Sequence, residues 1–253
     1  MIETELDGPV GVVTMSKPPH NLMDGVFLDA VISAYRQLID DGARALLLRS
    51  GMKHFCAGAD VSGFGAGGDE AGGDMDAPTI LDALESVPVP TVAAVHGAAL
   101  GGGFELALTC DLIIASETAK FGLVETSLGL LPLLGGVQRV TQRAGAARGK
   151  EIALFGRRHD PRTLERWNIV NLVVPDAELD EAARSWAQQL GNGPTVAYRG
   201  VKELANLTAT QGLAAADAHQ EAANDAMWAT SDVGAGLAAF AETGPGTALF
   251  EGR

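Results

Sequence analysis

Two glutamates stand where the chain could carry out acid/base chemistry. Glu105 ends the run Ala98-Ala99-Leu100-Gly101-Gly102-Gly103-Phe104-Glu105, and Glu125 ends Lys120-Phe121-Gly122-Leu123-Val124-Glu125. Each follows a glycine-bearing turn able to present backbone N–H groups. Upstream, Phe55-Cys56-Ala57-Gly58-Ala59-Asp60 supplies another sharp turn, in which Gly58 lets the backbone reverse and leaves the Ala59 N–H exposed. Two acids beside two such turns suit proton transfer next to a stabilised oxyanion.

Each feature also has a plainer use. Gly101-Gly102-Gly103 follows an apolar strand and opens a helix, so it serves equally well as a tight packing turn or an anion-binding turn. It matches neither G-x-G-x-x-G nor a P-loop. Glu105, in the first turn of that helix, could simply oppose the helix dipole, and Glu125 could be a solvated loop residue. Their joint placement favours chemistry: a short helix and the loop beyond the following strand can bring two side chains to one cleft. Cys56 has apolar neighbours and no histidine signature beside it, which argues against a nucleophile. His20, His54, His96, His159 and His219 show no metal-ligand spacing, and no Gly-x-Ser-x-Gly elbow is present.

The elements that must position these residues alternate along the first half of the chain. Val10–Met15, Ala45–Arg49, Thr91–Val95 and Asp111–Ala115 read as strands, the last three nearly all apolar and so buried on both faces. Asp24 is placed to cap a helix whose inner face is Leu28, Val31, Tyr35 and Leu38. Strand, crossover, strand implies an α/β fold with parallel strands. The glycine-rich stretch from Ser62 to Asp76 reads as a surface loop or as a flap, with Phe64 or Met75 dipping into a pocket. Leu179, Ala182, Ala183, Trp186 and Leu190 mark an amphipathic helix, Ala197, Val201 and Leu204 another, and residues 211–242 look helical throughout.

Composition bounds the rest. The 253 residues are 47% hydrophobic and 20% charged, and the formal net charge of −14 argues against a nucleic-acid partner. Two cysteines, Cys56 and Cys110, suit a reducing compartment, and Met1-Ile2-Glu3-Thr4-Glu5 has no signal-peptide character. No apolar run approaches the roughly 20 residues of a membrane span. A cytoplasmic protein without a membrane segment is expected.

Taken together, Phe55-Cys56-Ala57-Gly58-Ala59-Asp60, the run from Ala93 through His96-Gly97 to Glu105-Leu106-Ala107, Phe121-Gly122-Leu123-Val124-Glu125 and Gly135-Gly136-Val137-Gln138-Arg139 resemble the enoyl-CoA hydratase/isomerase (crotonase) superfamily. The resemblance extends from Gly11-Val12-Val13 to the terminal Phe250-Glu251-Gly252-Arg253. It implies a crotonase-like ββα spiral over residues 1–175, carrying the active site. It further implies a C-terminal helical region, 176–253, that assembles trimers or dimers of trimers. The implied substrate is an acyl-CoA thioester, with coenzyme A as part of the substrate and no separate cofactor or metal. The backbone N–H groups of Ala59 and Gly102 map onto the family's oxyanion hole, and Glu105 and Glu125 onto its catalytic acids. Ala57, Ala59, Asp60, Val61, Ser62 and Phe64 on one side, with Gly102 and Leu133 on the other, map onto substrate contacts. Members that only shift a double bond often keep one acid; two imply a hydratase that adds water to a 2-enoyl-CoA.

Three positions depart from the pattern. Leu133-Leu134 follows Pro132 where hydratases often have glycine, and Ser62 stands where a lysine often follows the Gly-Ala-Asp turn. Phe240–Ala248 holds no lysine or arginine for the CoA phosphates, leaving Lys53, Arg157 or Arg158 for that task. These departures keep open an isomerase, an acyl-CoA hydrolase or a decarboxylase on the same fold, or a non-catalytic crotonase-fold protein.

Overall fold

The computed structural model describes residues 1–61 and 76–253; Ser62, Phe64 and Met75 lie outside the described residues. In chain order the strands are β1 (Ile2–Asp7), β2 (Val10–Met15), β3 (Ala45–Ser50), β4 (Thr91–Val95), β5 (Ala98–Leu100), β6 (Leu112–Ser116), β7 (Lys120–Gly122) and β8 (Leu172–Val174). The helices are α1 (Gly25–Asp40), α2 (Ala77–Glu85), α3 (Gly102–Leu108), α4 (Gly136–Ala144), α5 (Ala146–Phe155), α6 (Pro161–Arg166), α7 (Leu179–Gly191), α8 (Thr195–Gln211), α9 (Leu213–Trp228) and α10 (Ser231–Thr243).

The long apolar runs become neighbours in one sheet, ordered β1-β2-β3-β4-β6-β8. Strands β2, β3, β4, β6 and β8 are parallel, as the apolar runs require. The exception is β1, which pairs antiparallel with β2 and closes the edge. Its mostly exposed Ile2-Glu3-Thr4-Glu5-Leu6-Asp7 carries acids outward, so apolar periodicity alone does not reveal it. Side chains alternate between faces with period two. Val12, Leu47, Val92 and Ile114 pack on one face against Leu179, Ala183 and Ala187 of α7. On the other face Val13, Leu46, Leu48 and Ile113 share a core with Phe27, Val31 and Tyr35 of α1 and with Phe104 of α3. Asp24 caps α1 as its position predicts, accepting from Phe27 N at 2.8 Å.

A second, smaller sheet positions the site. Strands β5 and β7 are parallel, and isolated bridges extend them on both sides, Cys56 to Ala99 and Phe121 to His159. Because Cys56, β5 and β7 run in the same direction, the residues that follow each of them leave by the same edge. Those residues are Ala57–Asp60, Gly101–Glu105 and Leu123–Glu125.

The loop between β2 and α1 buttresses that edge. Asn21, fully buried with φ +53°, sends its amide nitrogen to Met15 O, Ser50 Oγ and Phe55 O, while its Oδ1 accepts from Lys17 N. No helix among the described residues is long and apolar enough to cross a membrane. Removing the Asn21 amide strands buried carbonyls, which typically costs about 1–3 kcal/mol. Asn21→Ala should therefore lower the unfolding free energy by about 2 kcal/mol in urea at fixed protein concentration. A loss under about 0.5 kcal/mol would show that the loop does not depend on this side chain.

Candidate active site

Glu105 is 2% exposed, in the first turn of α3. Its carboxylate does not fold back on its own helix, as a simple partner of the α3 dipole would. Instead Oε1 accepts from Leu134 N at 2.9 Å and Gly136 N at 2.8 Å. Those N–H groups belong to the start of α4, where the orphan donors and the positive helix end favour an anion. A Cβ on Gly136 would lie 2.8 Å from Glu105 Cγ, so only glycine admits this approach. Burial wins the contest: it pushes the Glu105 carboxyl from 4.5 up to about 7, aided by the nearby charge of Glu125 and opposed by the two backbone donors.

Glu125 opens the 3-10 turn Glu125–Leu128, directly after β7. Its Oε1 would stand 3.0 Å from a Cβ built on Gly101, so it faces the glycine turn that begins α3. Its Oε2 is buried with no hydrogen-bond partner among the described residues, and burial raises its pKa as well. Both glutamates thus reach one spot. The three-residue strand β7, too short to show a period, is what brings Glu125 there.

The two expected donors flank the same spot. Met23 N donates to Gly58 O at 2.9 Å and Asp60 N donates to Met23 O at 2.8 Å. This parallel pairing uses the groups on either side of the Ala59 N–H and directs that N–H away from the pairing. Gly58, with φ +122°, makes the reversal. At the head of α3, Gly101 N donates to Gly122 O, while Gly101 O accepts from Phe104 N and Glu105 N. The Gly102 N–H is an orphan of the first helical turn. A Cβ on Gly102 would lie 3.7 Å from Ala59 N and 3.9 Å from Glu105 Oε2. The two N–H donors and the free oxygen of Glu105 therefore border one small volume, an arrangement suited to stabilising a developing oxyanion while protons move beside it.

Other expected residues take these places. Ala57 N donates to His20 O, and Asp60 lies in the same loop beside the half-exposed Val61. Leu133 is 55% exposed, whereas the neighbouring Leu134 is buried and supplies an N–H to Glu105. Cys56 is buried and its thiol is pushed up to about 12, which leaves it unreactive. His96 Nε2 donates to Met52 O at 2.7 Å, a structural contact. The backbone donors of Leu134 and Gly136 hold Glu105 in place, and side-chain identity does not advertise them. Pro132-Leu133-Leu134-Gly135-Gly136 was their only signal.

Known proteins resemble this chain over most or all of its length. The family model described as enoyl-CoA hydratase/isomerase matches residues 5–251. A protein described as a probable enoyl-CoA hydratase from Mycobacterium bovis is 36% identical, covering 95% of each chain. A carnitinyl-CoA dehydratase from Salmonella typhi is also 36% identical, over 80% of this chain and 78% of that one. The solved structure of an enoyl-CoA hydratase subunit from Geobacillus kaustophilus superposes with a TM-score of 0.92 at 32% identity, covering 100% of this chain and 98% of that one.

The raised pKa of Glu105 has a consequence for stability. The folded protein holds its proton more tightly than the unfolded chain does. Stability linked to that proton is fully present below pH about 4.5 and is lost as pH rises to about 7. The loss is roughly 3 kcal/mol. Glu105→Gln keeps an acceptor for Leu134 and Gly136 but cannot ionise. Its stability relative to the native protein should rise by that amount between pH 4.5 and 7.5 in chemical denaturation. A relative stability that does not change with pH would mean that Glu105 ionises as freely as in water.

Proposed function

We infer the reaction of this chain from its family: it belongs to the enoyl-CoA hydratase/isomerase family and is an enzyme of the crotonase superfamily. We propose that it adds water across the C2–C3 double bond of a 2-enoyl-CoA thioester. The observation that carries this reading is the meeting of Glu105 Oε2 and Glu125 beside the glycine turn at the head of α3. Relatives named for adding or removing water support it.

In this reading the thioester oxygen lies between the N–H groups of Ala59 and Gly102. Water attacks C3, the C2–C3 π electrons move toward the thioester, and negative charge gathers on that oxygen. Each donor aimed at the charge contributes roughly 100- to 1000-fold in rate. Glu105 takes a proton from the attacking water; the N–H groups of Leu134 and Gly136 stabilise the carboxylate form that this requires. Glu125, whose buried Oε2 has no donor among the described residues, suits the protonated form and delivers its proton to C2. The water O–H, the Glu125 O–H and the C2–C3 π bond break, C3–O, C2–H and Glu105 O–H bonds form, and return of a proton from Glu105 to Glu125 by exchange with solvent resets the pair. Burial raises the pKa of both carboxyls, and the charge of Glu125 adds to the rise at Glu105.

Lys53, Arg157 or Arg158 is left to hold the CoA phosphates, because Phe240–Ala248 carries no lysine or arginine. Val201, Leu213, Trp228, Leu237 and Phe240 expose apolar area on α8–α10, which supports residues 176–253 as the contact region of a homotrimer or a dimer of trimers. A cytoplasmic location suits a chain with two buried free thiols.

Glu105→Gln and Glu125→Gln should each lower kcat for crotonyl-CoA by about 100-fold or more, with KM little changed. Hydration at the native rate by either variant would refute the assigned roles. Gly102→Ala puts a methyl between the oxyanion donors, and the flexible end of Met23 can yield to it. The variant should keep the native melting temperature within a few degrees while kcat/KM falls at least about 100-fold. Near-native kcat/KM would remove Gly102 from the oxyanion hole.

A further inference from the structure

Met23 is the last residue of the β2–α1 loop before Asp24 caps the helix. Both of its backbone polar groups bond to the Gly58–Asp60 turn, and it pairs with Ala59 across a parallel bridge. The side chain is 3% exposed and belongs to the core around α1 and α3. A Cβ on Gly102 would lie only 2.4 Å from Met23 Cε, while lying 3.7 Å from Ala59 N and 3.9 Å from Glu105 Oε2. The thioether methyl therefore borders the same volume as the oxyanion donors and the base. Ala59 holds the thioester carbonyl (C1), and Glu105 serves the water that attacks C3. The substrate atom lying between those two points is C2.

We propose that Met23 is a specificity-determining residue whose methyl packs against C2 of the bound enoyl group and leaves no room for a substituent there. The enzyme then takes 2-enoyl thioesters that are unbranched at C2. This rests on the hydratase reading of the same site. Making room for a substituent at C2 means displacing the end of this side chain, whose backbone is tied to the oxyanion turn and which lies within the core. An unbranched thioether can nevertheless adjust to a flat, unsubstituted C2. Discrimination by one methyl group in such a pocket is typically about 10- to 200-fold.

The test compares crotonyl-CoA with its 2-methyl homologue, tiglyl-CoA, on native protein, Met23→Ala and Met23→Leu. The ratio of the two kcat/KM values is taken on one sample of each protein, so any unfolded fraction cancels. Met23→Ala should raise the tiglyl-to-crotonyl ratio about tenfold or more, while Met23→Leu stays within about threefold of native. A rise below about threefold for Met23→Ala, or an equal rise for Met23→Leu, overturns the proposal. If the native protein hydrates neither substrate, the hydratase reading fails. Calorimetric Kd values for butyryl-CoA and 2-methylbutyryl-CoA then decide the role of Met23 on binding alone. A gap between the two that Met23→Ala narrows about tenfold supports it, and an unchanged gap overturns it.

Discussion

The site depends on a small parallel sheet. Cys56, β5 and β7 run side by side in one direction, so three chain segments far apart in sequence leave by one edge. One carries Ala59, one carries Gly102 and Glu105, and one carries Glu125. Antiparallel pairing of any of them would send its loop to the opposite edge. The ladder is short, with hydrogen bonds such as Cys56 N to Ala98 O and Leu100 N to Cys56 O at 3.1 Å, and could not stand alone. Phe104 and Phe121, edge to face with ring centroids 5.3 Å apart, help anchor it in the main core.

On that frame the electrostatics set burial against hydrogen bonding. Glu105 is held by two amides at the head of α4, which favours its anion, yet it is buried deeply enough that neutrality near pH 7 is easy. A carboxyl balanced in this way can give or take a proton at small cost. The pair of helices that sets the balance is clamped at both ends. Glu105 of α3 binds the start of α4, and Arg143 at the end of α4 donates to Leu108 O and Cys110 O at the end of α3. Glycine at 102 and at 136 completes the arrangement by absence: a methyl at either position would occupy space the carboxyl or the donors need.

The outer supports act on the same loops. Asn21 ties the β2–α1 loop to the segment before Cys56, and Cys56 Sγ returns a hydrogen bond to Asn21 O at 2.9 Å. Farther out, Arg44 gathers Gly193 O, Thr195 Oγ1 and Phe250 O, fastening the C-terminal segment beneath the sheet. Lys202 of α8 reaches Asp111, whose carboxylate also accepts from Thr91 N. Core, helical region and site are thus joined by a few buried or partly buried polar contacts laid over a large apolar core.

Much of this was legible in the residues themselves. Apolar runs long enough to show a period announced β2, β3, β4 and β6, Asp24 announced the start of α1, and Leu179 to Leu190 announced α7, because burial imposes a repeat on sequence. Glycine turns beside Glu105 and Glu125 marked where amides and carboxyls gather, because exposed amides need residues that can turn sharply. What only the tertiary structure decided was proximity. Strands of three residues, an edge strand full of acids, the amides of Leu134 and Gly136 under Glu105, and the methyl of Met23 beside Gly102 leave no periodic trace. They arise when distant segments pack, and a backbone N–H carries no side-chain letter to mark where it will point.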